Sequence, residues 1–228
     1  SDLVEYCALN PPYGGVALPE DIQSFPADLR SSETADLFVA LSVKRLKNGG
    51  RGVIVLPGGF LFGNDNAKVA IKKYLMKECN LHTIIRLPQS CFAPYTSIAT
   101  NLLFFNKGES TQEVWFYRLD MPEGYKHFSK TKPMKKEHFD CVREWWDNRA
   151  EIQDEKADEA MSVTYKAKKY TIDEISGNNY NLDLCGYPTE EKVILSPEET
   201  MSNFVARREE LDRIMDQKLA EIKALLEV

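Results

Sequence analysis

Asn10-Pro11-Pro12-Tyr13, followed at once by Gly14-Gly15, brings together a side-chain amide, an uncontested backbone carbonyl and an aromatic ring. A residue before proline is driven out of the helical region, so Asn10 and Pro11 are both held extended. Pro11 and Pro12 have fixed φ and no amide hydrogen. The Asn10 side-chain oxygen and the Pro11 carbonyl can therefore accept both hydrogens of one NH2 group. Two such acceptors would draw the nitrogen lone pair out of conjugation and aim it at an electrophile. Tyr13 offers a flat face for the ring that carries the amine. The chemistry this suits is transfer of a group to a planar amino nitrogen. An ordinary proline turn has the same residue types, so the rest of the chain has to decide.

The positioning element is the apolar run Leu3 to Leu9, which reads as a strand. It would set the motif at the carboxyl edge of a sheet, where open α/β sheets hold ligands. Pro19 to Ser32 reads as a loop, and Thr34 to Lys47 as a helix stopped by Asn48-Gly49-Gly50. Gly52 to Leu56 is an unbroken apolar strand. Pro57 to Gly63 is a loop, Ala67 to Cys79 a helix, His82 to Leu87 a strand, Pro88 to Ser97 a loop and Ala99 to Asn106 a strand. This alternation predicts an α/β fold with a doubly wound parallel sheet. The final connection has no helix, so Ala99 to Asn106 is expected to run antiparallel at or near an edge.

Beyond Lys107, Glu113 to Leu119 extends the sheet, Met121 to Pro133 is an irregular arm and Lys136 to Arg149 is helical. The charged stretch Ala150 to Met161 reads as a solvated helix or linker, and Asn178 to Leu182 as a loop. Pro197 to Val228 reads as one long helix, with Pro197 in its first turn and a capping box from Ser196 and Glu199. Phe204, Leu211, Met215, Leu219, Ile222 and Leu226 make a stripe suited to a core or a partner. The expected organisation is 1–120 for the sheet, 121–195 for an irregular and helical arm, and 196–228 for the long helix.

The 228 residues fit one large domain or one domain with an extension. No apolar run is long enough to span a membrane, and no signal-peptide pattern opens the chain. Five cysteines without a Cys-x-x-Cys pair point to reduced thiols in a cytoplasm, each a small buried hydrophobe. His82, His127 and His138 are far apart without ligand spacing, so no metal is expected. The net charge of −6 argues against a nonspecific nucleic-acid coat, while leaving room for one local patch. Gly49-Gly50-Arg51-Gly52 precedes a strand, and Gly58 to Gly63 fits no dinucleotide or P-loop pattern, so neither cradles phosphate.

Taken in order, these segments resemble the modification subunit of a type I restriction–modification system, an adenine-specific DNA methyltransferase. The matching residues are Asn10 to Gly15, Ala35-Asp36-Leu37-Phe38, Gly49 to Pro57 with Leu61-Phe62, Leu87-Pro88, Phe92, and Thr96 to Lys107. Tyr180-Asn181-Leu182-Asp183 resembles the segment that follows the family's catalytic domain. The resemblance implies a partial Rossmann-like sheet and methyl transfer from S-adenosylmethionine to the 6-amino group of a flipped-out adenine. It implies catalytic roles for Asn10, Pro11, Pro12 and Tyr13. Tyr13 and Phe92 would stack on the base, with Tyr95 as the alternative to Phe92. No general base is needed, since the methylated amine is cationic and readily loses its proton.

In the family a glycine-rich cofactor loop and a helical domain precede this motif, yet only nine residues precede Asn10. The chain is therefore expected to be a fragment that by itself binds S-adenosylmethionine weakly or not at all and is inactive. Its implied partners are DNA, the specificity and restriction subunits, and a second modification subunit. Two alternatives stay open: methylation of a protein glutamine or of RNA, which uses the same four-residue motif, and a non-catalytic remnant serving as an interaction piece.

Overall fold

The computed structural model describes residues 3–154, 164–186 and 197–226. The elements are β1 (Val4–Leu9), α1 (Pro19–Gln23), α2 (Thr34–Arg45), β2 (Leu46–Pro57), α3 (Gly58–Phe62), α4 (Asn66–Glu78) and β3 (Cys79–Arg86). They continue as β4 (Thr100–Lys107), β5 (Glu113–Arg118), α5 (Asp140–Asp147), β6 (Ile152–Gln153), β7 (Tyr165–Thr171), α6 (Ile172–Gly177) and α7 (Pro197–Leu226). Short 3-10 turns cover Ala27–Leu29 and Lys136–Phe139. Residues 1–189 form one compact unit and 190–228 another.

Seven strands make one mixed sheet in the order β1-β2-β4-β3-β5-β7-β6. β1 is parallel to β2 and β3 to β5, while β4 runs antiparallel to both β2 and β3. The strand expected at or near an edge, Ala99 to Asn106, is antiparallel and lies third of seven, between β2 and β3. The helical crossover between β2 and β3 leaves a gap one strand wide, and the helix-free return fills it. Leu103 and Phe105 are almost wholly buried there, as an interior strand requires.

A second departure concerns Asn48-Gly49-Gly50. α2 ends at Arg45 and the chain turns directly into β2, so these residues lie in a strand rather than stopping a helix. The β1–β2 register slips here, from Val4 opposite Leu46 to Tyr6 opposite Arg51. Gly49 sits at φ +79°, and a Cβ on Gly50 would stand 2.9 Å from the Lys47 carbonyl oxygen. The glycines serve a bulge. The stretch expected to be an irregular and helical arm also supplies β6 and β7 to the sheet. The loop expected over Pro57 to Gly63 contains α3.

Helices cover both faces. α2, α4 and α6 pack one core, including Val39, Val43, Ile71, Leu75 and Ile175. α5 covers the other face, where Val142 and Trp145 meet Ile85, Tyr117 and Ala167. Trp146 lies edge-on to Phe104 at 4.9 Å and to His82 at 5.9 Å. Burial, and then the charges of Arg149 and Arg51, push the His82 imidazole down to about 4. Its stabilising share is full above 6.5, its ordinary value, and is lost as pH falls towards 4. Unfolding free energies from urea titration should therefore drop across that window, by up to about 1.4 kcal/mol per pH unit. His82→Gln should flatten this slope; an unchanged slope would refute the assignment.

The segment Asn181 to Gly186 closes the carboxyl end of the sheet. Arg86 donates to Asp183 at 2.5 Å, to Asn101 Oδ1 at 3.2 Å and to the Gly186 carbonyl at 3.3 Å. The Leu182 amide donates to the Leu61 carbonyl, and Arg118 pairs with Asp120 and Asp154. On α7, Phe204, Leu211, Met215, Leu219 and Ile222 expose more than half their surface. Ser196 of the expected capping box, and the side chains of Glu199 and Leu226, lie outside the described residues. Among the described residues no helix is long and apolar enough to cross a membrane, and no acidic, histidine and cysteine side chains gather as a metal site.

Candidate active site

Leu9 pairs beside Ile54, so β1 releases Asn10 at the carboxyl edge of the sheet. There Asn10 is exposed and Pro11 buried, which turns the amide outward on a fixed stem. Asn10 Oδ1 accepts a hydrogen bond from Tyr13 Oη at 3.1 Å. Gly14, at φ +68°, turns the chain back towards α2. The Thr34 amide then donates to the Gly15 carbonyl at 2.9 Å, and the Ala17 amide to the Ser32 carbonyl at 2.9 Å. A Cβ on Gly15 would press to 2.9 Å from Thr34 Oγ1, so this approach needs glycine.

A buried polar cluster anchors the start of α2. Asp36 is fully buried and accepts from Ser31 Oγ at 2.7 Å. Lys68 Nζ lies 2.6 Å from Glu33, 3.2 Å from Asp36 and 3.4 Å from Asp65. Burial raises the Asp36 carboxyl above its ordinary value, against the opposing pull of Ser31 and Lys68. Burial also works against the Lys68 ammonium, but its bonds to Glu33 and Asp36 outweigh that and raise it. The Ala35-Asp36-Leu37-Phe38 segment thus acts through α2, holding the strut on which the Asn10 loop rests.

A second loop rises from the same edge. The Leu87 amide continues the β3–β4 ladder to the Thr100 carbonyl, and the chain between them carries Cys91, Phe92 and Tyr95. Phe92 packs against the α5-side core and meets Tyr13 edge-on, with ring centroids 6.5 Å apart and planes at 73°. Tyr95 is 92% exposed. The fold therefore brings Asn10, Pro11, Tyr13 and Phe92 together, with Pro12 exposed between them.

The four are uncharged at neutral pH. Burial, aided by nearby Cys91, pushes the Tyr13 hydroxyl up to about 12, so it stays a donor to Asn10. Cys91 Sγ lies 3.3 Å from Thr100 Oγ1, and burial raises its thiol as well. Thr34, Thr100 and Ser90 support the two loops, and sequence reasoning had not singled out their roles. Thr34 opens a helix, Thr100 opens a strand and Ser90 lies in a loop, and none carries a local signal that says which backbone it will meet.

These residues fit an acceptor base better than they fit S-adenosylmethionine. Among the described residues no glycine-rich turn joins a strand to a long helix with free amides. Gly58 opens a five-residue helix, and its own amide already donates to the Ala99 carbonyl.

Comparison with known proteins agrees in fold and sequence. The family described as N-6 DNA methylase matches residues 2–194. The EcoEI methylase subunit of a type I restriction enzyme from Escherichia coli is 42% identical over 214 residues, which cover 94% of this chain and 42% of that protein. A solved chain from a type I restriction–modification system superposes with a TM-score of 0.70 at 30% identity, covering 100% of this chain and 46% of its own. The crystal structure of the EcoKI M protein gives a TM-score of 0.61 at 25% identity, over 95% of this chain and 50% of that one. The chain thus spans half or less of the length of each. A likeness that runs over 94% of the sequence and carries the strand arrangement with it has one reading: the chain belongs to the N-6 DNA methylase family.

Proposed function

We propose that this chain is the acceptor-binding part of an adenine-specific DNA methyltransferase of a type I restriction–modification system. The observation that carries the reading is the meeting of the Asn10 loop and Phe92 at one sheet edge, with Tyr13 and Phe92 rings 6.5 Å apart. A base held between two parallel walls needs about 7 Å, twice the carbon contact distance of ~3.5 Å. The two rings stand at 73° to each other, so parallel walls require Tyr13 to rotate. The same rotation breaks its bond to Asn10 Oδ1 and frees the acceptor.

The adenine 6-amino group then donates one hydrogen to Asn10 Oδ1 and the other to the Pro11 carbonyl. Held this way, its lone pair points out of the ring plane. Such a base has to leave the duplex, and stacking on two aromatic faces offsets part of the unstacking cost. S-adenosylmethionine supplies the methyl group in this reading. The chain's own residues orient the amine and exclude water. The methylated amine is cationic and releases its proton to solvent, which is why uncharged residues suffice.

DNA, the specificity subunit, the restriction subunit and a second modification subunit are the proposed partners. The exposed apolar stripe of α7 is the proposed subunit contact. The test is to supply the purified methylase assembly with labelled S-adenosylmethionine and unmethylated duplex. Label is expected in N6-methyladenine. Label on a protein glutamine or on RNA, with none on DNA, would overturn the reading.

A further inference from the structure

The segment between β5 and α5 carries a charge opposite to that of the molecule. Residues 121–138 hold Lys126, Lys130, Lys132, Lys135 and Lys136 against only Glu123 and Glu137, in a chain of net charge −6. All five lysines are exposed, and none forms an ion pair among the described residues. A merely soluble arm would have no reason to gather one sign of charge, or to be held in place.

This arm is held in place. Phe128 is 2% exposed, and its ring lies 5.6 Å from Tyr125 and 5.5 Å from His138. Ser129 and Lys132 bond each other's backbones in a tight turn, which sets Lys130 at its tip. Lys132 Nζ lies 5.7 Å from the Tyr125 ring centroid. The tether points at the site: the Phe128 amide donates to Ser90 Oγ at 2.9 Å, two residues from Phe92. The lysines are thereby fixed to the loop that carries a wall of the base slot.

We propose that the 121–138 arm is a phosphate-contacting surface, with Lys126, Lys130 and Lys132 gripping the DNA backbone beside the extruded nucleotide. The proposal rests on the adenine-methylation reading and gives that site its backbone contacts. Lysine ammonium groups suit phosphate as point charges and carry no sequence information. A base leaving the stack brings its flanking phosphates along, so a positive strip beside the slot would hold the distorted strand. The remaining acidic surface would keep other lengths of duplex away.

The experiment is the salt dependence of binding between the methylase assembly and a short fluorescein-labelled duplex carrying 2-aminopurine at the target adenine. Each lost phosphate contact flattens the slope of log K against log salt by about 0.9. K126Q/K130Q/K132Q should therefore reduce the slope by roughly two to three, and affinity at ~200 mM salt should fall less than at ~50 mM salt. The matching lysine-to-arginine triple should keep the slope. Unchanged circular dichroism and 2-aminopurine emission on saturation would show that fold and slot are intact. A wild-type slope in the glutamine triple overturns the arm's role and leaves the methylation reading standing. Absence of duplex binding by wild type, with label on protein, removes both.

Discussion

Asn10→Ala should lower kcat for methyl transfer to adenine by at least about 10²–10³-fold, the scale seen when one preorganised polar group is removed from a reacting centre. The mechanism is loss of one of two acceptors. The Pro11 carbonyl alone holds a single N–H, so the amine stays conjugated with its ring and its lone pair stays in the π system. Tyr13 and Phe92 remain, so the base should still leave the stack. The expected pattern is near-normal 2-aminopurine emission and duplex affinity, with single-turnover methylation almost absent. Methylation within a few-fold of wild type would remove Asn10 from the reaction and, with it, the assigned role of the Pro11 carbonyl.

Arg86→Met should cost about 3–5 kcal/mol of stability, the range for removing one partner of a buried ion pair. Arg86 is 1% exposed and bonds three separate groups: Asp183, Asn101 and the Gly186 carbonyl. Its loss takes away the 2.5 Å ion pair of Asp183, whose side chain is 19% exposed, and loosens the segment from Asn181 to Gly186. Urea unfolding of the chain measures this. The double variant Arg86→Met/Asp183→Leu separates the lost ion pair from lost packing. Apolar replacement of both partners should recover much of the loss. A single variant as stable as wild type would mean that the segment is held by Leu182 and Cys185 alone.

The strands of the first hundred residues are legible because buried strands write themselves as apolar runs: Gly52 to Leu56 falls within β2, and His82 to Leu87 overruns the end of β3 by one residue. Strand order is different, since it depends on pairings far apart in sequence. Nothing local in Ala99 to Asn106 distinguishes a central antiparallel strand from an edge one. β7 was missed for another reason. Its sequence, Tyr-Lys-Ala-Lys-Lys-Tyr-Thr, buries only Ala167 fully, and lysine stems lie over aromatic rings, with Lys168 Nζ 4.7 Å from Tyr165 and 5.0 Å from Tyr170. Such a strand has no apolar alternation to read.

The backbone restraint of the candidate site is legible where the sheet order is not, because Asn-Pro-Pro-Tyr carries it within four residues. Its meeting with Phe92 was an expectation from family likeness, and the fold places the two rings side by side. The closed form of the slot was not readable. The bond from Tyr13 Oη to Asn10 Oδ1 spans three residues, and the residue types alone do not say that the two side chains meet.

The central place of β4 has a consequence for how the chain assembles. β2 and β3 share no backbone ladder with each other; β4 lies between them and bonds to both. Until Thr100 to Lys107 has emerged from the ribosome, the growing polypeptide holds two separate strand patches with unsatisfied edges. Closure of the sheet is then a late, long-range event in which one segment completes both sides together, of the kind that slows folding and favours chaperone capture.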